Sequence, residues 1–68
     1  MEILSKRLKE LREEKKISTR KMASYLGISQ SAYMFYENHN GEPTMENLVK
    51  LADFFSVTLD FLLGRTDY

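Results

Sequence analysis

The chain has 68 residues, 29% of them charged and 43% apolar, which is enough for one small domain. A domain of this size buries only about 60% of its unfolded surface. There is no cysteine, so disulfides and thiolate metal sites are excluded, and the formal net charge is zero, which at first argues against a nucleic-acid partner.

Five short helices and no strand fit the pattern. Leu4, Leu8 and Leu11 repeat at i, i+4, i+7, so a first helix is expected from about Ile3 to Lys15 with one apolar stripe. Ser18 is a good N-cap for a second helix over Thr19–Leu26, with Met22, Ala23 and Leu26 inward. Gly27 ends it, since glycine takes a left-handed conformation cheaply. Ser29 caps a third helix over Gln30–Asn38. Asn38, His39, Asn40, Gly41, Glu42 and Pro43 form a turn-rich connection. Thr44 caps a fourth helix, where Leu48, Leu51, Ala52 and Phe55 recur at helical spacing. Thr58 caps a fifth, with Asp60 near its positive end, Leu59, Leu62 and Leu63 inward, and Gly64 as its stop; Arg65–Tyr68 is expected as a tail.

Charge is unevenly placed. Met1–Lys21 carries eight Lys/Arg against four acids, a net of +4, whereas Met22–Tyr68 carries two against six, a net of −4. A charged run is either a solvated face or a surface for phosphate, and charge alone does not choose. The apolar runs are a few residues long, far short of the roughly 20 that a membrane span needs. The charged amino end does not look like a signal peptide, and the lack of cysteine suits a reducing compartment, so a cytoplasmic location is expected.

Thr19–Glu37 is the informative segment. Two short helices meet at Gly27, and Ala23, one turn earlier, is small enough for a steep crossing. Tyr33 and Tyr36, at i, i+3, place an apolar face of the third helix against the second. Gln30, Ser31, Met34 and Phe35 are left on the other side, where a pinned helix can lie in a major groove.

Several stretches resemble the Cro and phage-repressor type of helix-turn-helix transcriptional regulators. They are Arg7-Leu8-Lys9-Glu10-Leu11-Arg12-Glu13-Glu14-Lys15, Met22-Ala23-Ser24-Tyr25-Leu26-Gly27-Ile28-Ser29, Tyr36-Glu37-Asn38, Glu42-Pro43-Thr44, Leu48-Val49-Lys50-Leu51-Ala52 and Val57-Thr58-Leu59-Asp60-Phe61-Leu62-Leu63-Gly64. The resemblance implies an all-α, compact five-helix, lambda-repressor-like DNA-binding domain over residues 1–68, with the helix-turn-helix at helices 2 and 3. It implies Gln30–Tyr36 as recognition helix, with Gln30, Ser31, Met34 and Phe35 at base-contacting positions. It also implies phosphate contacts at Thr19 and Asn38, and a structural Arg12–Glu37 pair, half-buried at best. Arg20 and Lys21, beside the docking edge, and His39 in the turn are further phosphate candidates.

The departures bear on the target. The second helix starts Thr19-Arg20-Lys21 where the family usually carries glutamine and then acids. The position after the Ser29 cap is Gln30, suited to adenine, rather than the arginine that suits guanine. Met34 and Phe35 replace commonly polar residues, and they fit either thymine methyls or a protein contact. His39 stands where a glycine is frequent, and the glycine comes later at Gly41.

The favoured function is a sequence-specific transcriptional regulator, a repressor, that binds a pseudo-palindromic duplex operator as a homodimer. Phe54 and Phe61, surplus to the core stripes, form with Tyr68 a candidate dimer patch. The alternative is a protein-interaction module on the same fold, an antitoxin or a regulator's partner, using the Met34/Phe35 face. An enzyme is not expected: one turn histidine, no cysteine and no paired carboxylates give no catalytic set. No metal spacing, cofactor or small-molecule ligand is evident.

Overall fold

The computed structural model describes residues 1–39 and 41–68; Asn40, within the expected connection, lies outside the described residues. Among them are five α-helices and no strand: α1 Glu2–Glu14, α2 Thr19–Leu26, α3 Gln30–Asn38, α4 Met45–Phe55 and α5 Leu59–Leu62. Four helix starts are fixed by hydroxyls. Ser18, Ser29, Thr44 and Thr58 accept from the backbone N–H three residues on, at 3.0, 3.0, 3.1 and 3.0 Å. Each cap is worth about 1 kcal/mol because it satisfies an otherwise orphaned donor.

Helix ends use one device four times. Lys16, Gly27, Ser56 and Gly64 all adopt left-handed backbone conformations. The next residue's N–H then reaches back to a carbonyl of the last turn: Ile17 to Arg12, Ile28 to Ala23, Val57 to Ala52 and Arg65 to Asp60, at 3.0, 3.0, 3.0 and 2.8 Å. This is the Schellman closure. In three cases the residue making the bond is β-branched, packs on the core and directly precedes the next cap: Ile17-Ser18, Ile28-Ser29 and Val57-Thr58. One three-residue linker therefore both ends a helix and starts another.

The core is built from Leu4 and Leu8 of α1, Met22, Ala23 and Leu26 of α2, Tyr33 of α3, Leu48, Leu51, Ala52 and Phe55 of α4, and Leu62 of α5. Leu11, Leu59 and Leu63 are only half-buried at its rim. α1 starts and ends one residue earlier than its apolar pattern predicts. α5 stops at Leu62, because Leu63 already takes the cap position ahead of left-handed Gly64.

The expected tail is not loose. Arg7 donates from Nη1 to the Phe61 carbonyl and, at 2.8 Å, to the Thr66 carbonyl; its Nη2 lies 3.6 Å from Asp67. Its guanidinium also stacks 4.2 Å above the Phe61 ring. Ile3 packs against Gly64 so closely that a Cβ there would sit 2.8 Å from it. No helix among the described residues is long and apolar enough to cross a membrane.

Candidate nucleic-acid interface

α3 is held from three sides. At the α2–α3 corner, Gly27 supplies the left-handed turn and buried Ala23 leaves room for the crossing. Tyr33 is fully buried, and half-buried Tyr36 meets its ring edge-on at a centroid distance of 6.1 Å. From α1, the buried Ser5 hydroxyl donates to the Tyr36 carbonyl. From α4, Asn47 Nδ2 donates to the Tyr36 hydroxyl at 3.3 Å.

The firmest tie is Arg12 to Glu37. Arg12 Nε and Nη2 donate to the two Glu37 carboxylate oxygens at 2.8 and 3.0 Å, while Nη1 donates to the Ile17 carbonyl at 2.8 Å. One fork-shaped side chain thus fastens the end of α1, the α1–α2 turn and the end of α3. The side chains are 14% and 3% exposed, so Glu37 is buried more deeply than the expected half-buried pair. The hydrogen bond to Glu37 raises the Arg12 pKa above its ordinary value, against the opposing effect of burial. The Tyr33 hydroxyl lies close to this pair without a hydrogen bond of ordinary geometry. Burial, chiefly, and the Glu37 carboxylate push its phenol far above the usual range.

The outer face of α3 presents Gln30, Ser31, Met34 and Phe35, all exposed. It carries no charge. Gln30 Nε2 donates to Thr19 Oγ1 at 2.9 Å, which joins the first residues of α3 and α2. That leaves the Gln30 carbonyl and one of its N–H bonds to face outward. Thr19 is half-buried and keeps its own hydroxyl proton, while Arg20 and Lys21 next to it are exposed. Asn38 and His39 are exposed at the opposite end of α3. The arrangement is an uncharged strip with hydrogen-bonding groups at both ends and the cations Arg20 and Lys21 at one of them.

The Helix-turn-helix family profile matches residues 8–62. The chain belongs to the helix-turn-helix family. It is 48% identical over 59 residues to the HTH-type transcriptional regulator AnsR of Bacillus subtilis, covering 87% of this chain and 51% of that protein. It is 52% identical over 44 residues to the cryptic phage CTXphi transcriptional repressor RstR of Vibrio cholerae, covering 65% and 39%. The fold matches the P22 c2 repressor, solved in complex with a synthetic operator, at a TM-score of 0.80 and 26% identity over 91% of this chain and 94% of that one. The chain spans about half the length of the curated relatives it matches.

Within this helix-turn-helix fold the expected dimer patch is not a set of free rings. Phe54 packs on Tyr25 at 4.8 Å between centroids, at the α2–α4 junction. Phe61 lies under Arg7, at the α1–α5 junction. Both are half-buried against the core, and only Tyr68, 91% exposed, stands clear. The sequence reading missed Ser5, Arg7, Asn47 and Tyr25, whose hydroxyl donates to the Lys50 carbonyl at 3.2 Å; their hydrogen bonds hold the unit together. Ser5 had one signal: it lies three residues before Leu8, a polar residue on an apolar face. Arg7 had none, since its partners lie 54 and 59 residues away.

Proposed function

We propose that residues 1–68 form one DNA-binding module of a transcriptional repressor, acting in the cytoplasm and laying α3 in the major groove. The observation that carries this reading is the strip itself: a rigidly seated helix with an uncharged outer face, its first residue tethered to the start of α2 beside Arg20 and Lys21. Gln30, Ser31 and Met34 read bases. The amide of Gln30 accepts from adenine N6 and donates to N7, and Met34 lies against thymine methyls. Thr19, Arg20, Lys21, Asn38 and His39 meet phosphates and set the register. Two copies bind successive grooves about 34 Å apart on a pseudo-palindrome.

Similarity to the transcriptional regulator AnsR, the transcriptional repressor RstR and the P22 c2 repressor supports the transcriptional role. Duplexes selected from a random pool give the preferred site and reveal any palindrome. On that site, Gln30→Ala is expected to cost about 1–3 kcal/mol, while Arg20→Ala weakens preferred and random duplexes alike. Fluorescence anisotropy on both duplexes decides the matter, and equal losses for Gln30→Ala on the two sink the readout assignment.

A further inference from the structure

Phe35 stands on the outer strip of α3 and is 53% exposed, yet the rest of its ring is engaged within the fold. Gly41 is buried against it: a Cβ at that position would lie 2.6 Å from Phe35 Cδ2 and 3.1 Å from Cε2. Glycine is needed here for space, since a Cβ at this position would overlap the Phe35 ring. The His39 ring lies on the same aromatic ring, at a centroid distance of 5.1 Å and an interplanar angle of 32°. The Phe35 carbonyl also accepts from both the His39 and the Gly41 N–H groups, at 3.0 and 3.3 Å. Ring and carbonyl of one residue therefore clamp the start of the α3–α4 connection.

We infer that Phe35 is a positioning residue for DNA binding and not a base reader: it fixes Asn38 and His39 where they meet the phosphates that flank the strip. This rests on the proposed reading of α3 as the recognition helix. A ring wedged between the helix and its following loop cannot also turn into the groove without releasing Gly41. Its contribution is independent of base sequence, because it acts through backbone contacts.

The test compares wild type with Phe35→Ala, Phe35→Tyr and Gly41→Ala by anisotropy on the selected duplex and on a random one, with amide hydrogen exchange on the free proteins. Phe35→Ala is expected to weaken both duplexes by the same factor, about tenfold for one or two lost contacts, leaving their ratio unchanged. Gly41→Ala displaces the ring while every strip residue remains, and it should reproduce that uniform loss. Phe35→Tyr keeps the wedge and should bind as wild type. The Gly41 and His39 amides should exchange faster in Phe35→Ala, while the Tyr33 amide keeps its protection. A loss confined to the selected duplex overturns the inference, as does wild-type binding by Gly41→Ala. If wild type binds neither duplex, the recognition-helix reading fails; unchanged loop exchange in Phe35→Ala shows separately that the clamp does not exist.

Discussion

Tyr33 shows what one atom can cost. Its ring fills the centre of the core, but its hydroxyl is buried without an ordinary hydrogen bond beside the Arg12–Glu37 pair. An unsatisfied buried polar group is penalised by about 1–3 kcal/mol of desolvation. Tyr33→Phe keeps the ring and removes the penalty, so at pH 7 it should be neutral or stabilising by up to roughly 1 kcal/mol. The alkaline limb has a definite sign. The unfolded phenol ionises near 10, whereas the folded one keeps its proton to higher pH. Above about 10 the unfolded state therefore binds fewer protons, and stability falls by up to about 1.4 kcal/mol per pH unit from this group; below that pH its contribution is complete. Urea melts at pH 7 and at two values above 10 should show a shallower alkaline decline in Tyr33→Phe. A loss of more than about 1 kcal/mol at pH 7 would mean that the hydroxyl has a partner that matters.

Between helices, the repeated linker makes a sharper demand than packing does. Gly27 and Gly64 occupy two of the four left-handed positions, but Lys16 and Ser56 occupy the other two with side chains, at φ 56° and 55°. A side chain in that region costs about 1–2 kcal/mol, partly offset by the smaller unfolded-state entropy it brings compared with glycine. Ser56→Gly should therefore stabilise the domain by about 0.5–1 kcal/mol, and Gly27→Ala should destabilise it by about 1 kcal/mol or more. The alanine result is clean, because nothing lies within 4 Å of a Cβ built on Gly27. Thermal melts give the sign directly, and a stability loss in Ser56→Gly would mean that the serine side chain supports the turn. These linkers also explain what could be read in advance. The caps at Ser18, Ser29, Thr44 and Thr58 are local chemistry, visible in the residue type, as is the turn at Gly27. The left-handed turns at Lys16 and Ser56 are hidden in the sequence, because neither position carries a glycine. The Gln30–Thr19 tether, the Phe35–Gly41 wedge and the Arg7 anchor depend on contacts across 11, 6 and more than 50 residues, which periodicity does not encode.

For the whole molecule, the proposed DNA binding raises the question of why a chain of zero net charge would hold a polyanion at all. Residues 1–21 carry +4 and the remainder −4, so attraction depends on which end is presented. Arg20 and Lys21 occupy the first turn of α2, where cations are disfavoured by the positive helix end. Placing them there costs a few tenths of a kcal/mol of stability and concentrates positive potential beside Gln30 and Thr19. Lys6 is equally cationic and exposed, but it lies on the side of α1 opposite Leu4 and Leu8. Arg20→Gln and Lys6→Gln change the net charge identically, so only placement distinguishes them. If phosphate contact at the strip drives binding, Arg20→Gln should lower the slope of log K against log salt by about 0.9 per protomer, one phosphate contact's worth, and Lys6→Gln should leave it unchanged. Titrations of a random duplex between 50 and 200 mM salt measure both slopes under one protocol. Equal changes in the two variants would mean that overall charge, and not the edge of the proposed recognition helix, is what the DNA senses.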